Sequence, residues 1–455
     1  MVSEILKKQK EFFASGKTLD LSFRINALKA LKKAIMAREG EILGALKKDL
    51  SKSNFEGYMT EVGMVYSEIG FMLGRLPFLT RPHRVKTPMS QFPSKSYTVA
   101  SPYGVALIVS PWNYPFQLTI LPLVDCIAAG NCAIVKPSAN APETARVIRE
   151  LIGEIFPDQY VAAVSGSREE NVSLLDEKYD LFFFTGGKET GKLIALKAAA
   201  HLAPAVLELG GKSPCVVCAD ADIPLTAKRI AFGKFLNAGQ TCVAPDYILA
   251  DKRVRGALVE ALKAEIVRMY GENPLINENY PKIVNRRQFD RILKLIDGKK
   301  TVFGGEYDET SLKITPTILD GADLSDAAMQ EEIFGPVLPV IETDGYGSVK
   351  AAIEKNPDPL ALYWFGKNRA DARRAVREIR FGGGCINDTV IHLATHAMGF
   401  GGVGESGMGA YHGERGFYAF SHIKSIVDKS LKIDLPFRYQ PCSAKKERTI
   451  RKFLK

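Results

Sequence analysis

The chain has 455 residues, of which 46% are hydrophobic and 25% are charged, and these values are typical of a globular protein with two or three domains. No apolar run is long enough to cross a bilayer, and no segment near the N-terminus resembles a signal peptide, so we expect no integral membrane anchor. Seven cysteines, an odd number in so long a chain, argue against a disulfide framework and favour a reducing cytoplasm.

The net charge is +10, and half of it lies in the last dozen residues, where six bases stand against the single acid Glu447. Such a tail can make weak peripheral contact with anionic lipid through Ile450, Phe453 and Leu454 among the bases. A solvated chain end is the simpler interpretation. The rest of the chain is only mildly basic, so nucleic acid is not an expected partner.

The first 80 residues are predicted to be helical, because Leu28, Leu31 and Ile35 recur at helical spacing with lysines on the opposite face. No catalytic residue is predicted there. Residues 81–102 are rich in proline and are predicted to form an extended arm or linker.

Apolar strands and helices alternate from residue 105 onward. Continuous apolar strands separated by helices predict a parallel sheet that is covered on both faces, and a second α/β segment is predicted to begin near Glu208. Ligands of such sheets bind at the carboxyl ends of the strands, so the polar loops that follow them are the predicted binding region. The predicted strands are Val105–Val109, 133–135, 161–164, 181–184 and 215–218, and the predicted helices are 116–129, Pro142–Ile155 and 188–200.

Three stretches could contact a phosphate or a ribose. The sequence FTGGKETG at 184–191 follows a strand and begins a helix, which favours a phosphate, although an ordinary strand–helix turn has the same pattern. Lys136 also follows a strand, and it is either a ribose or phosphate ligand or a solvated lysine. The sequence GVGESG at 402–407 matches a dinucleotide fingerprint, but no long βαβ unit surrounds it, so we interpret it as a flexible glycine-rich segment.

Cys242 is the candidate nucleophile. Gly239 allows the backbone before it to approach other groups closely, and Pro245 stiffens the chain after it. The alternative is a small core residue, which is a common role of free cysteines. Cys215 and Cys218 are three apart in a predicted strand and point to opposite faces, so a redox or metal pair is not expected.

Glu208 and Asn113 are the candidate partners of that thiol. Glu208 lies in an apolar run, where burial would raise its pKa and suit a general base, although an ion pair with Lys212 is an alternative. Asn113 stands between aromatic residues and prolines in the sequence PWNYP at 111–115. It is either a rigid amide donor to an oxyanion or a turn residue. The six histidines are scattered, so no metal site is expected.

Four motifs occur together in one order: PWNYP at 111–115, LELGGKSP at 207–214, GQTC at 239–242 and EIFGP at 332–336. This set resembles the aldehyde dehydrogenase superfamily over about residues 20–425. The sequences CVAPDY at 242–247, MQEEIFGP at 329–336 and GMGAYHG at 407–413 resemble its class-3 branch, which includes the fatty-aldehyde enzymes.

The resemblance implies an α/β fold with a Rossmann-like cofactor domain, an α/β catalytic domain and a small bridging β element for oligomerisation. A homodimer is expected by the same analogy. The implied bounds are 1–82 and 103–207 for the dinucleotide-binding domain, 208–389 for the catalytic domain, 83–102 and 390–425 for the bridging arm, and 426–455 for the basic tail.

The resemblance also implies a role for each site residue. Cys242 would be the nucleophile, Glu208 the base and Asn113 an oxyanion donor. The activity would be oxidation of aromatic or medium- to long-chain aliphatic aldehydes to carboxylic acids through a cysteine thioester. The implied cofactor ligands are Lys136 and Glu332 at the two riboses, Phe334 by the nicotinamide, and Trp112, Thr185, Gly186 and Gly187 along the cleft.

One departure from the family concerns the cofactor. Many members carry a glutamate after the Lys-Pro-Ser sequence that binds the 2′-hydroxyl of adenosine, and here that position is Ala139. A missing carboxylate removes repulsion against a 2′-phosphate, so we expect both NAD and NADP to be accepted. Two other classes remain open: a thiol hydrolase, which would need no nicotinamide cofactor, and a silent relative, which would have lost Cys242 or Glu208.

Overall fold

The computed structural model describes residues 2–166 and 173–454, except for the side chain of Phe453. Two large, mostly parallel sheets form the centre of the molecule, and a small antiparallel sheet lies beside them. Helices separate most successive strands of the large sheets, as parallel pairing requires. The predicted α/β fold class is confirmed.

The chain begins with a layer of helices, which we call the N-terminal helical layer. Its predicted periodicity is confirmed, because Leu28, Leu31 and Ile35 are completely buried. The helices are Val2–Ala14, Leu21–Ala37, Glu39–Leu50, Asn54–Gly57 and Gly63–Leu79, with a π-helical turn at Tyr58–Val62 and a 3-10 turn at Lys17–Leu19.

The six-stranded sheet lies next in the chain. Five of its strands form one parallel set, and a single antiparallel strand at residues 407–408 lies at one edge. Val109 pairs with both Lys136 and Phe184, and Thr185 pairs with Glu208, so the carboxyl ends of these strands form one edge. In spatial order the strands are Gly407–Met408, Ala205–Glu208, Leu181–Thr185, Val105–Val109, Cys132–Lys136 and Val161–Ala163, and their helices are Gln117–Ala129, Pro142–Ile155 and Lys188–Ala200.

The seven-stranded sheet is parallel except at the edge strand 301–303. In spatial order its strands are Thr301–Phe303, Thr317–Asp320, Val337–Thr343, Tyr247–Asp251, Pro214–Val217, Ala361–Phe365 and Gly383–Ile386. The helices in this part of the chain are Ile223–Phe235, Arg255–Tyr270, Arg286–Leu293, Ala327–Gln330, Gly345–Glu354, Arg369–Glu378 and Gly413–Ala419. A two-stranded hairpin, Tyr307–Asp308 and Lys313–Ile314, lies beside them.

Loops from both large sheets meet at one cleft. Residues 110–116, which we call the amide loop, follow the strand Val105–Val109 of the six-stranded sheet. Residues 236–242, which we call the thiol loop, precede the strand Tyr247–Asp251 of the seven-stranded sheet. The cleft therefore lies between the carboxyl edge of one sheet and the amino edge of the other.

The third sheet is antiparallel and joins the proline-rich region to the end of the fold. Its strands are His83–Val85, Ser94–Pro102 and Ser421–Lys429. The last of these crosses the boundary that was predicted at residue 425. The tail forms the exposed helix Ala444–Phe453, while the side chain of Phe453 and residue Lys455 lie outside the described part of the chain. Within residues 2–166 and 173–454, no helix combines the length and the apolar character that spanning a membrane requires.

Candidate active site

A cavity of about 850 Å³ lies between the two large sheets. Its wall contains nine of the ten predicted site residues: Trp112, Asn113, Thr185, Gly186, Gly187, Glu208, Cys242, Glu332 and Phe334. Lys136 ends the neighbouring strand Cys132–Lys136, but among the described residues it is not part of the wall. It is half-buried, and burial lowers the pKa of its ammonium group.

The thiol loop has a strained backbone that brings Cys242 to this cavity. Asn237 and Ala238 both adopt left-handed conformations, with φ values of 52° and 50°. Gly239 has a φ of 75°, and a Cβ at that position would lie 2.2 Å from the carbonyl oxygen of Gly335. Only glycine fits this contact, which packs the thiol loop against the segment that carries Glu332.

The thiol of Cys242 is held in its protonated form near neutral pH. Burial raises its pKa to about 12, with smaller contributions from the negative charges of Glu332 and Glu208, while the backbone N–H groups of Cys242 and Val243 oppose this rise. Reaction at neutral pH therefore needs a group that removes the proton.

Glu208 ends the strand Ala205–Glu208 and is only 2% exposed. Neither of its carboxylate oxygens has a hydrogen-bond partner among the described residues, and burial raises its pKa well above the usual range. The alternative ion pair with Lys212 is wrong, because the Lys212 ammonium lies 2.5 Å from Asp246. An unpaired buried carboxyl group next to a thiol has the properties of a general base.

The glycine-rich stretch at 402–407 has a structural role at this site. Gly407 pairs with Glu208 across an antiparallel bridge, and the carbonyl of Ser406 accepts a hydrogen bond of 3.1 Å from the N–H of Leu209. The stretch therefore holds the strand that ends in Glu208, and it provides no βαβ unit for a phosphate.

Asn113 is 2% exposed and is bonded through both its backbone and its side chain. Its Nδ2 donates to the carbonyl of Gln240 at 3.0 Å, which ties the amide loop to the thiol loop. Beside it, the Tyr114 hydroxyl lies 2.6 Å from Thr241 Oγ1. The amide group is thus fixed to the thiol loop two positions before Cys242.

The other end of the cavity fits a dinucleotide. The carboxylate of Glu332 packs on the backbone of Gly210, where a Cβ would lie 2.0 Å from its oxygen, and burial raises its pKa to about 8. Trp112 and Phe334 form an edge-to-face pair with ring centroids 5.4 Å apart. The hydroxyl of Thr185 is buried without a partner among the described residues. An acceptor for ribose hydroxyls, an aromatic wall and a free hydroxyl suit this ligand.

Comparison with known proteins identifies the family. The family model described as "Aldehyde dehydrogenase family" matches residues 1–426. The chain belongs to the aldehyde dehydrogenase family.

Relatives of this aldehyde dehydrogenase match almost its whole length. Aldehyde dehydrogenase family 3 member A2 of Mus musculus is 42% identical, over 96% of this chain and 91% of that protein. The dimeric NADP-preferring aldehyde dehydrogenase of Canis lupus familiaris is 41% identical, over 98% and 99% respectively. A substrate-bound structure of Staphylococcus aureus AldH is 42% identical, with a TM-score of 0.98 over the whole of both chains.

The protein is therefore an oxidoreductase that oxidises aldehydes to carboxylic acids with NAD or NADP. The predicted family, its class-3 branch and the nicotinamide cofactor are confirmed. The alternatives of a thiol hydrolase and of a silent relative are not favoured by any feature of the cavity.

Several residues at the site of this aldehyde dehydrogenase were missed by sequence reasoning. Arg287, Arg291 and Lys355 add positive charge to the cavity wall. Lys52 and Glu56 reach the amide and thiol loops from the N-terminal helical layer. No local signal distinguishes these charged residues from the solvated ones around them, because their importance depends on long-range contacts.

Proposed function

We propose that Cys242 is the nucleophile of this aldehyde dehydrogenase, that Asn113 and the Cys242 N–H hold the oxyanion, and that Glu208 is the base. The supporting observation is that a thiol, an unpaired buried carboxyl group and a clamped amide line one cavity.

The reaction proceeds through a thioester on Cys242. After the thiol proton has left, the sulfur bonds to the aldehyde carbon, and the carbonyl oxygen becomes an oxyanion held by Asn113 Nδ2; one such donor is worth about 3 kcal/mol. A bound nicotinamide would supply the acceptor for the hydride of that carbon, which would leave the acyl group on the sulfur as a thioester. Glu208 then takes a proton from water, the water oxygen bonds to the thioester carbon, and the C–S bond breaks to release the acid and the thiol.

The cofactor ligands are proposed on the same basis. Glu332 and Lys136 hold the two riboses, Phe334 and Trp112 form the wall near the nicotinamide, and Thr185, Gly186 and Gly187 line the cleft. Both NAD and NADP are accepted, because the exposed Ala139 places no carboxylate where a 2′-phosphate would lie. The dog relative that is named NADP-preferring supports this proposal.

The domains follow the sheets in this proposal. Five strands of the six-stranded sheet belong to the dinucleotide-binding domain, 1–82 and 103–207, and its edge strand Gly407–Met408 comes from the arm. The seven-stranded sheet belongs to the catalytic domain, 208–389. The arm, 83–102 and 390–425, bridges two copies of the chain in a homodimer. The support is the exposed apolar surface of the antiparallel sheet and the relative that is named dimeric.

Two weaker features complete the proposal. The basic tail makes peripheral contact with anionic lipid, supported by the exposed Leu454 beside Arg451 and Lys452 on the tail helix. A cytoplasmic location is supported by the seven cysteines, all of which are free. Co-sedimentation with vesicles of anionic and of neutral lipid tests the first of these, and binding to neither would contradict it.

An aldehyde panel tests the activity. Medium-chain and aromatic aldehydes are mixed with the protein and with NAD or NADP separately, and the absorbance of the reduced cofactor is recorded. We expect reduction of both cofactors, complete loss of it in Cys242→Ser, and no loss in the matched variant Cys385→Ser. Reduction by Cys242→Ser would contradict the nucleophile, and turnover with NAD alone would contradict the cofactor proposal.

A further inference from the structure

A buried ion pair lies next to the amide loop. Lys52 and Glu61 are both completely buried, and their charged groups are 2.6 Å apart. Lys52 lies in the connection between the helices Glu39–Leu50 and Asn54–Gly57, and Glu61 lies in the π-helical turn Tyr58–Val62. Neither is part of the cavity wall. A buried ion pair loses its hydration, and apolar side chains of the same size are often at least as stabilising, so stability alone is a weak reason for this pair.

The ion pair holds the amide loop at two places. The ammonium of Lys52 donates to the carbonyl oxygen of Asn113 at 2.9 Å and lies 3.9 Å from the centre of the Tyr114 ring. The second oxygen of Glu61 accepts from the N–H groups of Phe116 and Gln117, at 2.8 Å and 3.2 Å. Because the helix Gln117–Ala129 begins here, Glu61 also fixes its first turn.

The thiol loop completes the contacts of Asn113. The Nδ2 of Asn237 donates to the same carbonyl oxygen at 2.8 Å, and Asn113 Nδ2 donates to Gln240 at 3.0 Å. Among the described residues, the carbonyl oxygen of Gln240 is the only hydrogen-bond acceptor of this side-chain amide, which has two hydrogens to donate. The second hydrogen is left for a ligand in the cavity.

We propose that Lys52 and Glu61 are positioning residues for the oxyanion donor. They hold the backbone at Asn113 and at the end of the loop, so that the side-chain amide of Asn113 keeps one direction relative to the thiol of Cys242. The inference rests on the proposed role of Asn113. The pair has no net charge, so its effect is on geometry, and a misplacement of about 1 Å can lower a rate about 100-fold.

Variants and a matched control separate this role from folding. Lys52→Met alone leaves a buried unpaired carboxylate, whereas the double variant Lys52→Met/Glu61→Gln removes both charges and keeps an acceptor for the Phe116 N–H. Arg24→Met is the control, because Arg24 is another buried cation that donates to backbone carbonyls, of Thr18 at 2.7 Å and Ala128 at 3.2 Å. Asn113→Ala removes the proposed oxyanion donor itself and so measures the role on which the inference rests.

Two rates are measured for each variant: hydride transfer in a single turnover, and alkylation of Cys242 by iodoacetamide. Alkylation needs the thiolate but forms no carbonyl oxyanion, so a residue that only orients the amide leaves it unchanged. We expect Asn113→Ala to lose at least about 100-fold in hydride transfer and the double variant at least about 10-fold. Alkylation should stay within about twofold, and Arg24→Met should keep both rates.

Each other result overturns the inference in a recognisable way. Unchanged hydride transfer in the double variant, with a loss in Asn113→Ala, would refute the positioning role and leave the proposed function intact. A parallel loss of alkylation would show that the pair acts on the thiol or on the fold. Loss of cooperative unfolding in the double variant would make the pair a folding requirement, and normal hydride transfer in Asn113→Ala would refute the oxyanion donor itself.

Discussion

Glu208 is a buried carboxyl group whose protonation depends on its burial. Its two oxygens lack hydrogen bonds among the described residues, and burial raises its pKa well above the usual range. A base is active in its ionised form, so hydrolysis of the thioester should become faster as the pH rises from neutral toward alkaline values. The rate-determining step of the enzyme is then expected to depend on pH.

The substitution Glu208→Gln tests this assignment, because glutamine has the same shape and cannot accept the proton. We expect a burst of reduced cofactor, followed by turnover that is slower by about 100-fold or more, and loss of the rise with pH. Stopped-flow absorbance measures both phases. The exposed Glu342→Gln is a control that should behave as wild type. A missing burst in Glu208→Gln would instead show that Glu208 also removes the thiol proton.

Glu56 gives a prediction for stability. Burial raises its pKa from 4.5 to about 7, although the Lys52 charge and the N–H of Asn237 oppose this shift. The folded protein therefore holds this proton more tightly than the unfolded chain does. Between pH 4.5 and about 7 the free energy of unfolding falls as the pH rises, by on the order of 3 kcal/mol at ~1.4 kcal/mol per pH unit.

In Glu56→Gln the side chain stays neutral and can still accept from the Asn237 N–H, which is 2.8 Å from Glu56 Oε1 in wild type. We expect the variant to gain stability relative to wild type as the pH is raised from 5 to 8. Urea unfolding at several pH values measures the difference. Parallel profiles of the two proteins would show that Glu56 does not titrate in this range.

At the scale of elements, the thiol loop depends on one close contact. In Gly239→Ala the new methyl group would collide with the carbonyl of Gly335, in addition to the strain of a φ of 75°. Gly271 is a matched control, because its φ is 80° but no atom lies within 4 Å of a Cβ there. We expect both variants to lose about 1–3 kcal/mol, and only Gly239→Ala to lose activity by displacing Cys242. Thermal unfolding and steady-state rates check this, and equal activity losses would contradict it.

The elements differ in how far the sequence predicts them. The helix Pro142–Ile155 was predicted with its observed bounds, because a proline marks its first turn and its apolar residues recur at helical spacing. Cys242, Glu208 and Asn113 were predicted because small, rigid or apolar neighbours mark them locally, and all three line the cavity. Lys52 was missed, since its importance comes from Asn113, 61 positions further along the chain.

The same limit applies to the carboxylate at 208. The sequence suggested Lys212 as a partner because it is only four positions away, but that lysine bonds to Asp246 on another element. Local spacing cannot reveal a competing partner that tertiary packing supplies. The cavity itself also needs both large sheets, so its wall was predictable only where a motif marked a residue.

At the scale of the whole molecule, the antiparallel sheet presents apolar side chains to solvent. Ile423, Ile426 and Val427 on the strand Ser421–Lys429 are 40%, 36% and 52% exposed. Exposed apolar groups clustered on one strand mark an interaction surface. Because the homodimer proposal places this sheet between two copies, burial of these side chains should stabilise the dimer.

The double variant Ile423→Asp/Val427→Asp tests that surface. Charges directed into an apolar interface lose hydration without gaining partners, so we expect the wild type to be a dimer and the variant to dissociate at micromolar concentrations. Val376→Asp is the control, because the exposed fraction of Val376, 55%, is similar to that of Val427, but Val376 lies on the helix Arg369–Glu378. Light scattering coupled to size exclusion measures the mass. A monomeric wild type would contradict the homodimer, and a dimeric double variant would move the interface to another face.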